Sequence, residues 1–189
     1  MSEARPRKRK LFAGIELDEA ARTACAAVSE ALQQTGFPAK YEAPEKLHVT
    51  LAFLGYVNPE LVEAVEAALH EIAARTAPFA LSLDKIGAFP HERRPRVVFV
   101  GARAQGPAFR SLAEALRRAY AALGFTFDND AVAHVTVARV KESRRPLPIV
   151  EFAPILLKLD RLTLFESLPD PAARTSRYER VGVATLNQD

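Results

Sequence analysis

The chain has 189 residues, of which 49% are hydrophobic and 26% are charged, so it can bury one core as a single domain or as two closely joined lobes. This composition excludes the collagen-like, low-complexity and intrinsically disordered classes. The single cysteine cannot form an internal disulfide and no apolar run reaches the length of a membrane span, so we expect a cytoplasmic protein with no membrane partner.

The net charge of +3 has an uneven source. Residues 1–10 hold five basic residues against one acidic residue, so the remainder of the chain is close to neutral. We interpret residues 1–9 as a basic, flexible arm and residues 10–189 as the folded domain. Such an arm can hold a polyanion through counterion release, and a solvated tail is an equally good interpretation.

Hydrophobic periodicity and turn residues divide the chain into strands and helices. Asp18 is a suitable N-cap and Gly36 a suitable stop for the first helix, on whose apolar face Cys25 is interpreted as a core residue. The predicted elements are, in chain order, strand 10–17, helix 18–35, strand 47–54, helix 60–74, strand 79–86, strand 96–100, helix 108–123, and strands 133–140, 155–165 and 178–186. Strands and helices occur in each half, which predicts an α+β fold.

A five-residue pattern occurs twice in the chain. His48-Val49-Thr50-Leu51-Ala52 recurs as His134-Val135-Thr136-Val137-Ala138, each after a helix and a short linker and each within a β-rich run. Chance is a poor explanation, because four histidines and nine threonines give on the order of 0.2 occurrences of His-x-Thr in this length. Two similar lobes related by a pseudo-twofold axis would bring these strands together at a shared cleft.

Each copy of the pattern places an imidazole beside a hydroxyl. Residues i and i+2 of a strand point to the same face, about 6.6 Å apart, which pairs His48 with Thr50 and His134 with Thr136. For either copy alone, a core histidine beside a threonine is the better interpretation. Two copies together would bury four polar side chains without a reason, which favours a functional site.

Two imidazoles suit in-line displacement at phosphorus. A neutral histidine can take a proton from the attacking oxygen while a protonated one gives a proton to the leaving oxygen on the opposite side. The two threonine hydroxyls would donate hydrogen bonds to the non-bridging oxygens. Arg139 follows His134 at i+5, so an ideal strand sends it to the other face, and a bulge or a twist would bring it to the phosphate.

Other chemistries lack their motifs in this sequence. There is no P-loop, and no cysteine pair, histidine pair or carboxylate cluster has the spacing of metal ligands. We therefore expect a reaction that needs no metal and no nucleotide cofactor.

The two motifs resemble the paired signatures of the two-histidine (2H) phosphoesterase superfamily, and most closely those of the bacterial RNA 2′,3′-cyclic phosphodiesterases once called 2′-5′ RNA ligases. Residues 11–15, 87–90 with 95–98, and 176–178 are similar to other segments of that family. The resemblance implies two pseudo-symmetric lobes, each an antiparallel-rich sheet with helices packed outside, and an active-site cleft between the sheets.

The same resemblance implies metal-independent hydrolysis of RNA 2′,3′-cyclic phosphate ends to 2′-phosphomonoesters, with weak, reversible 2′-5′ joining of RNA. It implies that His48 protonates the leaving 3′-oxygen and that His134 activates water, although the sequence alone leaves these two roles interchangeable. It further implies that Thr50, Thr136 and Arg139 hold the phosphate. The expected partner is RNA with a cyclic phosphate end, or a nucleotide, and no obligate protein partner is evident.

Basic and aromatic residues near the motifs are candidate contacts to RNA. The basic candidates lie in the proline-rich loop after residue 89 and just past the second motif, and solvated loop charge is the competing interpretation. For the aromatic candidates the competing interpretation is core packing. The candidates are Arg93, Arg94, Arg96, Lys141, Arg144, Arg145, Tyr41, Phe53 and Phe89.

Two other functions stay open on the sequence alone. One is a different activity of the same superfamily, such as opening ADP-ribose cyclic phosphate or cleaving 2′-5′ oligonucleotides. The other is a non-catalytic RNA-binding module that uses the basic arm and loops.

Overall fold

A computed structural model describes residues 7–142 and 145–187. The strands are β1 (Arg9–Glu16), β2 (Lys40–Tyr41), β3 (His48–Val57), β4 (Phe79–Leu83), β5 (Lys85–Phe89), β6 (Val97–Gly101), β7 (His134–Arg139), β8 (Ile155–Leu159), β9 (Arg161–Asp170) and β10 (Thr175–Thr185). The helices are α1 (Glu19–Gln34), α2 (Pro59–Ala74) and α3 (Gly106–Ala122), and Pro44–Lys46 forms one 3-10 turn. The predicted α+β class is confirmed.

The strands that carry the two motifs join the halves of one large sheet. Its strand order is β10-β9-β1-β3-β7-β6-β5, with β2 added beside β7, and the paired strands are antiparallel. Within the described chain, β3 and β7 pair only through Val49 and Val135, so they separate on either side of this contact. The two predicted lobes are these halves, and the space between the diverging strands is the cleft.

The helices cover one face of this sheet and leave the other face open. Helix α1 packs against β7 and β8, α2 against β9 and β10, and α3 against α2 and β3. The Asp18 carboxylate accepts a hydrogen bond from the Ala21 backbone N–H at 2.8 Å, which confirms the predicted N-cap of α1. Cys25 is fully buried in the core, as expected. No helix of the described residues is long and apolar enough to cross a membrane.

Two of the predicted strands are in fact two strands each. The run 79–86 breaks at Asp84, so β4 pairs with β8 in a separate two-stranded sheet while β5 pairs with β6 in the main sheet. The Asp84 carboxylate accepts a hydrogen bond from the Arg103 backbone N–H at 2.8 Å, which fixes this corner. The run 155–165 breaks in the same way at Asp160. Periodicity does not reveal these corners, because apolar residues on both sides are buried.

The N-terminal boundary falls slightly earlier than predicted. Residues 1–6 of the predicted arm lie outside the described residues, and Arg7 and Lys8 are exposed coil. Arg9 already belongs to β1, and its guanidinium forms an ion pair with Glu166 at 2.8 Å. Strand β3 also continues past Gly55, where the sequence predicts its end, because that glycine adopts a positive φ of 69° within a bulged strand.

Gly14 allows β1 and β3 to approach each other beside the first motif. A Cβ atom built on Gly14 would lie 2.6 Å from the backbone oxygen of Val49, the middle residue of that motif. A backbone atom cannot move aside as the end of a side chain can, so any larger residue here must push β3 away.

We therefore expect Gly14→Ala to lower the free energy of unfolding by about 1–3 kcal/mol, the usual cost of overpacking a core. Urea denaturation of the variant and the unchanged protein at the same pH measures this difference. Equal stability of the two proteins would contradict the close approach of β1 and β3.

Candidate active site

The two motif histidines are held in the same way. The Nδ1 atom of His48 lies 2.6 Å from the Lys46 backbone oxygen, and Nδ1 of His134 lies 2.8 Å from the Val132 backbone oxygen. A carbonyl oxygen only accepts hydrogen bonds, so Nδ1 carries a proton and donates it in both residues. The Nε2 atom of each ring is therefore the one that can gain or lose a proton. In His48 this atom lies 3.1 Å from the Thr50 hydroxyl.

Each motif strand bulges immediately after its threonine. On β3, Thr50 pairs with Gly14 and Ala52 with Ala13, which leaves Leu51 as the extra residue. On β7 the same shift in register falls between Thr136 and Ala138. An extra residue reverses the alternation of side chains beyond it, so the residue five positions after each histidine returns to the histidine's face.

The residues returned to this face are Phe53 on β3 and Arg139 on β7. Both line the cleft together with the histidines, so the bulge that the sequence requires for Arg139 to approach the phosphate is present. The two lobes thus contribute different groups from equivalent positions. One supplies an exposed aromatic ring and the other a guanidinium.

The cleft has a volume of about 770 Å³ and opens on the face of the sheet without helices. It brings together the residues predicted as catalytic or phosphate-binding, which are His48, His134, Thr50, Thr136 and Arg139. It is also lined by residues that lie outside the two motifs and that the sequence does not assign to the site. These include Lys10, Phe12, Lys40, Glu42, Arg174 and Tyr178.

Aromatic side chains enclose both imidazoles. The ring centroid of His48 lies 4.9 Å from that of Phe12 and 5.2 Å from that of Tyr178. On the other side, the His134 ring stands edge-on to Phe89, with centroids 5.2 Å apart. These apolar surroundings remove water from the rings and disfavour their charged forms.

Burial lowers the pKa of both histidines below its ordinary value. The backbone hydrogen bond at Nδ1 opposes this effect in each, and the nearby Arg139 guanidinium adds to it. The pKa of His48 is also lowered by His134 and raised by the carboxylate of Glu42. Both rings are therefore neutral at neutral pH in the free protein.

Glu42 holds Arg139 in the cleft through an ion pair of 2.8 Å. Its backbone N–H donates to the oxygen of Val137, the extra residue of the β7 bulge, so the same irregularity positions both partners. The Lys46 ammonium lies 4.0 Å from the Glu42 carboxylate on the other side. An anionic substrate would therefore meet Arg139 already paired with a carboxylate.

The predicted RNA contacts divide into two groups. Phe53 and Phe89 line the cleft, whereas the Tyr41 hydroxyl donates to the Phe37 backbone oxygen at 2.9 Å outside it. The Arg96 guanidinium is hydrogen-bonded to the Lys141 backbone oxygen. The predicted basic contacts within the described residues are exposed and do not line the cleft; they are Arg93, Arg94, Arg96, Lys141 and Arg145. Arg144 lies outside the described residues. Their contacts to RNA stay predictions.

A family model described as LigT like Phosphoesterase matches residues 15–99 and 100–173, which together make up most of the chain. The chain belongs to this family. The predicted membership of the 2H phosphoesterases is thereby confirmed. Among the described residues, this LigT-like phosphoesterase has no group of three or more His, Cys, Asp or Glu side chains arranged to hold a metal ion.

Individual relatives cover most of this LigT-like phosphoesterase. An RNA 2′,3′-cyclic phosphodiesterase of Archaeoglobus fulgidus is 36% identical over 132 residues, which are 70% of this chain and 73% of the relative. A Thermus thermophilus protein of solved structure is 30% identical, covers 95% of this chain and 99% of its own, and has a TM-score of 0.75. The structure of E. coli LigT complexed with 3′-AMP is 26% identical, covers 96% and 99% of the two chains, and has a TM-score of 0.76.

The lowered pKa values of His48 and His134 predict a dependence of stability on pH. The unfolded chain binds protons at its histidines at about pH 6.5, whereas the folded protein binds them only at lower pH. Burial of the two neutral rings therefore makes the free energy of unfolding depend on pH. Its full value is present above about pH 6.5, and part of it is lost as the pH falls through the pKa values of the folded protein.

We expect the double variant His48→Gln/His134→Gln to lose less free energy of unfolding than the unchanged protein between about pH 7.5 and pH 5. Urea denaturation at the two pH values provides the comparison. The matched control is His70→Gln/His91→Gln, which removes two exposed imidazoles and should keep the original loss. A loss as large in the first double variant as in the control would contradict the burial of the motif histidines.

Proposed function

We propose that this LigT-like phosphoesterase hydrolyses RNA 2′,3′-cyclic phosphate ends to 2′-phosphomonoesters. One observation carries the proposal. Two imidazoles on diverging strands line the same cleft, each with its Nε2 atom as the site of proton transfer, and Arg139 lines the cleft beside them. The Archaeoglobus fulgidus relative, named for the same reaction, supports the choice of substrate. RNA or a nucleotide is accordingly the proposed partner.

In the proposed reaction, water attacks phosphorus in line with the leaving 3′-oxygen. The reactive form is the one in which His48 has taken up a second proton, on Nε2, while His134 stays neutral. The Nε2 atom of His134 takes a proton from the water as the new P–O bond forms, and His48 gives its Nε2 proton to the 3′-oxygen as the P–O3′ bond breaks. The product carries its phosphate on the 2′-oxygen. His134 is then protonated and His48 neutral, and exchange with solvent restores the starting state.

The role of His48 as the acid is carried over from the resemblance to the two-histidine phosphoesterases. Burial and the neighbouring His134 lower the pKa of His48, and the Glu42 carboxylate raises it, so these surroundings favour neither assignment of the two roles.

The non-bridging oxygens are proposed to be held by Thr50, Thr136 and Arg139. In the free protein the Thr50 hydroxyl is within hydrogen-bond distance of His48 Nε2, and a proton on that atom turns the hydroxyl from donor into acceptor or frees it for phosphate. Arg139 is exposed enough to exchange its Glu42 partner for a phosphate oxygen.

The same geometry accommodates the proposed joining reaction. If the 5′-hydroxyl of a second RNA takes the place of water, His134 accepts its proton and the product is a 2′-5′ phosphodiester. That bond can be cleaved by the same two groups acting in reverse, so the reaction is reversible.

We expect His48→Ala and His134→Ala each to lower the rate of cyclic-phosphate hydrolysis by at least about 10²-fold, because each removes one proton-transfer partner. The assay uses 2′,3′-cyclic AMP and cyclic-phosphate-ended RNA in the presence of EDTA. His70→Ala, an exposed histidine on α2, is the matched control and should keep the original rate. Normal turnover by either motif variant, shown to be folded, would exclude the two-histidine mechanism.

The plot of kcat/KM against pH should be bell-shaped, because one histidine must be protonated while the other is neutral. The burial that lowers the pKa of both rings moves the expected maximum to the acid side of pH 6.5, the ordinary value for histidine. Initial rates at low substrate concentration across the pH range measure the profile. A flat plateau that extends through alkaline pH would contradict a required protonated histidine.

A further inference from the structure

Two exposed aromatic side chains follow the first motif along β3. Phe53 is 65% exposed and Tyr56 is 70% exposed, although both belong to a strand near the middle of the large sheet. Aromatic rings of this size are usually buried, so two exposed rings on one strand indicate a surface that contacts a ligand or a partner molecule. Phe53 lines the cleft.

A second bulge places Tyr56 on the same face as Phe53. Phe53 pairs with Phe12 and Gly55 with Leu11, so Leu54 is an extra residue and the alternation reverses there. Tyr56 then lies directly opposite Lys10 on β1. Directly opposite residues of an antiparallel pair project to the same face, so Tyr56 stands beside Lys10, which itself lines the cleft.

The two basic residues at the start of β1 have different surroundings. Arg9 projects to the helix-covered side, where Glu166 pairs with its guanidinium at 2.8 Å. Lys10 is exposed and projects to the side of the cleft. Its positive charge is thus available at the point where the aromatic residues leave the cleft.

The other end of the cleft, past His134, is less suitable for a polyanion. A second cavity, which both His134 and Phe53 border, is lined by Asp128 and Asp130, whose carboxylates repel phosphate groups. Its cation, Arg117, donates from Nε to the Leu51 backbone oxygen at 2.8 Å and is thereby engaged with the backbone.

We propose that the RNA chain upstream of the cyclic phosphate follows the surface formed by Lys10, Phe53 and Tyr56. Bases stack on the two aromatic rings and the Lys10 ammonium neutralises a backbone phosphate, which is the general way proteins hold single-stranded RNA. The proposal rests on the proposed function, because a cyclic phosphate bound between the histidines fixes the end of the RNA in the cleft. This route differs from the basic loops that the sequence favours.

The test compares two substrates, a 2′,3′-cyclic mononucleotide and a ten-nucleotide RNA with the same terminal nucleotide. We expect Lys10→Ala and Tyr56→Leu each to lower the ratio of kcat/KM for RNA to kcat/KM for the mononucleotide by about tenfold. Tyr56→Phe keeps the ring and should keep the ratio. Lys158→Ala removes an exposed lysine from β8 in the separate small sheet and is the matched control for charge.

Binding of the ten-nucleotide RNA with a 2′-phosphate end provides a second readout that does not require turnover. Lys10→Ala should reduce the slope of log affinity against log salt concentration by about 0.7, the value for one lost contact to a single strand. An unchanged ratio and an unchanged salt slope in Lys10→Ala would overturn the proposed path. Absence of turnover of both substrates by the unchanged protein would instead overturn the proposed function, and the salt slope would then decide the RNA path alone.

Discussion

The site depends on one irregularity of the backbone, the bulge that follows the threonine of each motif. Without the extra residue, Arg139 and Phe53 would project among the helices on the covered face of the sheet. A guanidinium buried there without a partner would be strongly unfavourable. The bulge instead brings Arg139 to the two imidazoles and, through the Val137 backbone oxygen, also fixes Glu42 beside it.

The lobes are symmetric in their framework and asymmetric in what they carry. Both histidines donate from Nδ1 to the backbone oxygen two residues earlier, and both are surrounded by aromatic rings. Beyond the histidines, one lobe continues with an aromatic residue and the other with a cation. This difference gives the cleft a direction, in which we propose that the phosphate binds near Arg139 and the bases leave along Phe53.

How far the sequence predicts this structure depends on the range of the interactions. The sequence predicts the features that depend on residues near each other in the chain. These are the paired motifs, the N-cap at Asp18 and the burial of Cys25 on the apolar face of α1. The corner at Asp84 is not predicted, because the apolar alternation continues across it while the strand changes sheets. Glu42 is not predicted either, because its place is set by pairing with a strand almost a hundred residues later.

The most direct test of the proposed function is to identify, by phosphorus NMR, the product that forms from 2′,3′-cyclic AMP in the presence of EDTA. The proposed in-line attack with the 3′-oxygen leaving predicts 2′-AMP as the product. Formation of 3′-AMP, or hydrolysis that begins only when a divalent cation is added, would contradict the account.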